Sequence, residues 1–246
     1  MSGPGMNSGD RQGKRTASEI GAYFNGEVER FSDLSRGQAS IKDAKLMMDI
    51  LAEAAAALIP NAKNILDIGC GAGNQTLNLL RIFPGASCTL LDLSPAMLAR
   101  ARERVGTLIP GRMELIQGDL RTAPLPEGKF DVAAAAAVLH HLRDDEDWKR
   151  GLSRIHSWLR PGGVLLVSDL IRHENPEIET RFKERYESFL RETLGEAEAE
   201  RILRSIAESD TPSTIEYQFE LLRKLGFREL GLLHKNLLFA AYYAVK

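Results

Sequence analysis

The chain has 246 residues and a formal net charge of −2, which gives no reason to expect a nucleic-acid or membrane-surface partner. Its two cysteines, Cys70 and Cys88, are too few for a disulfide framework or a cysteine-rich metal site. No apolar run reaches the roughly 18 residues of a membrane span, and the start of the chain has no signal-peptide pattern, so a cytoplasmic protein is expected.

Residues 1–17 are rich in Gly, Ser and charge and read as disordered. Residues 18–36 hold a short helical pattern with Ile20, Tyr23, Phe24, Val28 and Phe31 as apolar anchors. A stronger helix is predicted over 40–59, with Ser40 as its cap, and Pro60 ends it. This region is too short for its own core. It is either a helix packed on a sheet edge or, over 18–60, a lid that turns Tyr23, Phe24 and Phe31 toward a substrate.

Residues 64–73 organise the rest. Ile65, Leu66 and Ile68 make a buried strand, and Gly69, Gly71 and Gly73 then let the backbone turn sharply. A helical pattern starts at Asn74. This is not the G-x-x-x-x-G-K-[ST] phosphate loop, and Asn74 stands where a third dinucleotide glycine would be. Asp67, two residues before the first glycine, would repel a pyrophosphate and welcome a cationic ligand.

A second strand, Ala86–Leu91, ends at Asp92-Leu93-Ser94-Pro95. Asp92 comes 19 residues after Gly73, close to the roughly 20-residue offset at which a carboxylate meets ribose hydroxyls. Ser94 and Pro95 open a helix in which Met97 is a ligand-facing residue or core filler. Met113–Gln117 is a third strand, followed by Gly118-Asp119-Leu120. Phe130–Val138, although alanine-rich, is read as the central fourth strand, and Leu139-His140-His141-Leu142 follows at its end. Adjacent side chains are expected to point apart, and no partner stands at metal-ligand spacing, so no metal is expected there. His140 and His141 are acid–base candidates or structural residues.

Asp144–Leu159 reads as a helix, Arg160-Pro161-Gly162-Gly163 as its stop, and Val164–Ser168 as a fifth strand. Residues 172–211 form a helical insert broken near Gly195. Ser213 to Glu216 read as a capping box, and Arg228–Leu233 with Leu237–Val245 as a terminal hairpin.

The D-I-G-C-G-A-G turn, the spaced carboxylates, L-H-H-L and L-R-P-G-G together resemble the class I S-adenosylmethionine (SAM) dependent methyltransferases, of the type 11/12 kind. The resemblance implies an α/β fold, a Rossmann-like seven-stranded mixed sheet with helices on both faces and a helical cap. It implies one domain over 18–246, transfer of a methyl group from SAM to a small-molecule acceptor, and S-adenosylhomocysteine as product. It also implies that Asp67 and the Gly69, Cys70, Gly71 and Gly73 backbone hold the amino-acid end of SAM. Asp92 and Leu93 would meet the ribose, Met97, Asp119 and Leu120 the adenine, and Ala136 the methionine moiety.

A narrower resemblance is to the carboxy-SAM synthase branch, which makes carboxy-SAM from prephenate for tRNA wobble-uridine modification. This chain has Leu221 where that branch is expected to carry an arginine. A homodimer and a SAM-binding protein without turnover are left open, and a dehydrogenase is disfavoured by Asp67.

Overall fold

The computed structural model describes residues 13–109 and 112–246. The N-terminal segment forms α1 (Ala17–Asn25), α2 (Val28–Ser32), α3 (Leu34–Gly37) and α4 (Ala44–Leu58). Most of the stretch expected to be disordered, residues 1–12, lies outside the described residues. Its end does not behave as disordered: Thr16 caps α1 through a reciprocal pair with Glu19, and Lys14 donates to the carbonyls of Ala207 and Asp210. Ser40 does not cap α4. That helix begins after Asp43, which sits at φ 57° and makes no cap. The Asp43 carboxylate is held instead by His234 Nε2 at 2.9 Å and Asn236 Nδ2 at 2.6 Å, so a tertiary tie overrides the local capping preference.

The middle of the chain alternates strand and helix: β1 (Asn64–Ile68), α5 (Asn74–Ile82), β2 (Ser87–Asp92), α6 (Pro95–Gly106), β3 (Met113–Gln117) and β4 (Phe130–Ala136). A one-turn 3-10 helix, Leu139–His141, leads to α7 (Asp145–Trp158) and β5 (Leu159–Leu170). Then come α8 (Pro176–Leu194), α9 (Glu196–Ser209), α10 (Ile215–Lys224), β6 (Glu229–Asn236) and β7 (Phe239–Val245). The seven strands run in the order β3-β2-β1-β4-β5-β7-β6, with β7 antiparallel to both neighbours and the others parallel.

The strand side chains alternate between two apolar layers. Ile65, Val132, Ala134, Val164 and Leu166 pack with α4, α5 and α6, together with Tyr186 and Ile202 of the insert. Leu66, Ile68, Ala133, Ala135, Leu165 and Val167 pack with α7 and α10. Helices on both faces explain why these strands read as continuous apolar runs. Leu51 is 1% exposed in the first layer, so Leu51→Ala costs about 2–5 kcal/mol. β4 keeps Ala133, Ala134 and Ala135 buried; close helix packing wins over their helical propensity.

Three boundaries differ from the sequence reading. β4 stops at Ala136 rather than Val138, because Ala137 turns to φ 58°. Arg160–Gly163 does not end a helix before the strand but bulges from within β5, where Phe130 pairs Leu159 and Val132 pairs Val164. Asp131 pins this bulge, accepting from Arg160 Nε at 2.5 Å and from the amides of Lys63 and Asn64 at 2.9 Å each. Thr214 rather than Ser213 caps α10, its hydroxyl accepting from the Tyr217 amide at 3.2 Å. No helix among the described residues is long and apolar enough to cross a membrane.

Candidate functional site

The carboxyl ends of β1, β2 and β4 open onto a cavity of about 660 Å³, within the range of small-molecule and cofactor sites. One wall is the turn after β1. Gly69 sits at φ 60°, where a Cβ would fall 2.4 Å from Val138 Cγ2, so only glycine fits there. Gly71 sits at φ 51°, and a Cβ on it would meet no protein atom within 4 Å. The turn is held by the strands: Cys70 donates its amide to Leu91 O, and Gly71 donates to Asp92 Oδ2 at 2.8 Å. Asn74 then ties the turn outward, donating to the Phe31 carbonyl at 2.9 Å while its own oxygen accepts from Arg104 at 2.8 Å.

Asp67, Asp92 and Asp119 all line this cavity. Asp67 is 1% exposed and accepts from Thr76 Oγ1 at 2.5 Å. Burial outweighs that bond and pushes its carboxyl up to about 7. Asp92 accepts from the amides of Gly71 and Ser94, one on each oxygen at 2.8 Å, and burial again raises its pKa. Asp119 is gripped by Arg121 at 2.5 and 2.9 Å. Its burial is overcome by that guanidinium, which holds the carboxyl below its usual value. Gly69, Cys70, Gly71, Leu93, Met97, Leu120 and Ala136 also reach the wall; Gly73 does not, serving as the N-cap of α5.

Gln75 is a residue the sequence reading passed over, since a polar side chain in a first helical turn looks solvated. It is 4% exposed, lines the cavity, and both atoms of its amide lack a hydrogen-bond partner. An orphaned buried amide beside two buried carboxylates and an open glycine backbone fits a polar, cationic ligand.

The opposite wall holds His140 and His141. Their rings do not point apart: the centroids are 4.2 Å from each other, both turned toward Asp210 at the end of α9. Acidic partners also stand beside them, contrary to the sequence expectation. Asp169 bonds His140 Nδ1 and also accepts from the His140 amide at 3.1 Å. Asp210, at the end of α9, lies 3.2 Å from His141 Nδ1 and 3.7 Å from His140 Nε2. The end of the insert is fastened here by Thr211, whose amide donates to His140 O at 2.7 Å and whose hydroxyl donates to Leu142 O at 2.6 Å. Burial opposes a charge on His140, yet the facing Asp169 and Asp210 hold its pKa at about 9. Burial and the neighbouring His140 depress that of His141. Phe24 closes this end, edge-on to both Phe31 and His141, with Tyr23 also on the wall.

Fold and cavity together define an α/β nucleoside-binding protein with an anionic, glycine-lined ligand cradle at the switch point of its sheet. A methyltransferase-domain family model matches residues 65–163. A carboxy-S-adenosyl-L-methionine synthase of Chromohalobacter salexigens is 30% identical over 188 residues, covering 74% of this chain and 68% of that protein. One from Shewanella sediminis is 26% identical over 220 residues, 88% of each. Among solved structures, the Burkholderia thailandensis 1,6-didemethyltoxoflavin-N1-methyltransferase, with bound 1,6-didemethyltoxoflavin and S-adenosylhomocysteine, superposes with a TM-score of 0.60 at 18% identity, covering 94% of this chain and 91% of that one. The chain belongs to the class I family of SAM-dependent methyltransferases, and SAM is its cofactor.

Proposed function

We propose that the chain methylates a small molecule seated between the glycine turn and the His140–His141 wall. When bound, SAM supplies an electrophilic methyl group on a positively charged sulfur and leaves as S-adenosylhomocysteine. In this reading Asp67, Gln75 and the Gly69–Gly71 backbone hold the amino-acid end, and Gly73 shapes the turn. Asp92 takes the ribose, with Leu93 beside it. Met97, Asp119 and Leu120 surround the adenine, and Ala136 borders the methionine moiety. His140, His141, Phe24 and Phe31 then face the acceptor, and its alignment with the methyl group supplies most of the acceleration. The lid 18–60 and the insert 172–211 are proposed as covers on one domain, 18–246, working in the cytoplasm.

The observation that carries this reading is one cavity joining three strand-end carboxylates to a separate wall of histidines and aromatics. The test is mass spectrometry of ligands bound to the purified protein, then of products formed from methyl-labelled SAM and a small-molecule extract. Labelled acceptor and S-adenosylhomocysteine are expected. A bound dinucleotide, with indifference to SAM, overturns the reading.

A second reading, carboxy-SAM synthesis, is favoured by the synthase relatives. Two observations rank it lower. No described residue of α10 reaches the cavity, and Leu221 packs into the apolar layer below the sheet. The cavity's arginines are also engaged: Arg15 with Glu208, Arg30 with Glu27, Arg121 with Asp119 and Asp147, and Arg143 with the carbonyls of Ser209 and Arg15. An added carboxylate would have to displace one of these. Formation of carboxy-SAM from SAM and prephenate would reverse the ranking and bring in the tRNA pathway.

A further inference from the structure

The acceptor wall carries a cluster that methyl transfer as such does not require. We propose that His140, His141 and Asp210 bind one divalent transition-metal ion of the zinc class, with an open coordination position toward the cavity. All three line that cavity, and one ligand atom from each lies within 4.8 Å of the others. The two separations that involve Asp210 are close to those a metal imposes. Bonds of about 2.0–2.1 Å at tetrahedral angles set neighbouring donors about 3.4 Å apart. Asp210 Oδ1 stands 3.2 Å from His141 Nδ1 and 3.7 Å from His140 Nε2.

The tautomers agree with this. Asp169 takes Nδ1 of His140, leaving Nε2 for an ion, the usual arrangement in which a carboxylate orients a ligating imidazole. His141 Nδ1 is buried and makes no hydrogen bond despite the nearby carboxylate, so it is close but misaligned for a proton and free for a metal. Two imidazoles with two carboxylates, Asp169 and Asp210, form an immediate set of charge −2 when the rings are neutral. Arg143 and Lys14 offset part of that charge from the side, while their own hydrogen bonds go to backbone carbonyls: Ser209 and Arg15 for Arg143, Ala207 and Asp210 for Lys14. Three protein donors leave a fourth position for an oxygen or nitrogen of the acceptor. That role, unlike the binding itself, rests on the methyl-transfer reading.

The test uses the full chain, stripped with a chelator and titrated with zinc chloride by calorimetry and with cobalt chloride by visible absorption. One equivalent per chain is expected, with tetrahedral or five-coordinate cobalt bands and no sulfur charge-transfer band. His141→Ala and Asp210→Ala should each abolish stoichiometric binding. Asp169→Asn, which removes only the orienting carboxylate, should weaken it about 10–100-fold. A wild-type chain that takes up no equivalent overturns the proposal. So does a sulfur band from Cys70 or Cys88, or wild-type affinity in both alanine variants. If a variant loses its cooperative melt, the wild-type cobalt spectrum decides. SAM titrated in the same calorimeter separates the two readings: SAM binding without metal uptake defeats only the metal.

Discussion

Thr76 donates its hydroxyl to the buried carboxylate of Asp67 at 2.5 Å, yet Asp67 still titrates near 7. The unfolded value is about 3.9. A raised folded pKa means the neutral carboxyl favours the fold at low pH, and this contribution is lost as pH rises through about 7. A cationic ligand reverses the sign. SAM affinity should therefore rise as pH climbs from about 6 to 8, by up to about tenfold per unit below the pKa. Asp67→Asn should bind weakly with a flat profile, and its ligand-free form should melt higher than wild type above pH 7. Calorimetry and thermal melts across that range check both.

Asp92 offers each oxygen to one backbone amide and keeps lone pairs for a diol. Hydrogen bonds to a charged group are worth about 1.5–3 kcal/mol, so Asp92→Ala should weaken SAM binding about 10–100-fold. Unchanged affinity in a titration would remove the ribose assignment.

The glycine turn separates packing from ligand contact. Gly69→Ala should destabilise the whole domain, because its methyl collides with Val138, and Val138→Ala should recover part of the loss. Gly71→Ala meets no protein atom and carries only a left-handed backbone cost of about 1–2 kcal/mol. It should lower SAM affinity more than the melting temperature. Denaturant titrations beside calorimetry distinguish the pair.

Phe24 packs edge-on against His141 and Phe31. Each such pair is worth about 0.5–1.5 kcal/mol. Phe24→Ala should raise the acceptor's KM about tenfold while SAM affinity stays near wild type. An equal loss for both ligands would place Phe24 over the cofactor instead.

The strands and their glycine turn were readable because burial on two faces writes uninterrupted apolar runs, and left-handed backbone demands glycine at Gly69 and Gly71. The three aspartates stood out because each follows such a run. The histidine partners were not readable in the same way. Asp169 lies one residue beyond where the fifth strand seemed to end, and Asp210 looks like an ordinary helix terminus. Only the return of the insert across the sheet's edge sets Asp210 beside His141. Ser40 misled for a related reason: capping is a local preference, and Asp43 answers to a tertiary contact the sequence does not display. At Ser213 the reading is off by one residue, since Thr214 makes an ordinary local cap.

The roof above the histidines is drawn from stretches the seven strands do not need, chiefly α1, α2 and the end of α9. On the methyl-transfer reading proposed above, mutational drift there would retune which cargo is admitted while the floor, with its aspartates and glycines, stays intact. An inherited donor platform of this build is open to retargeting through its canopy alone.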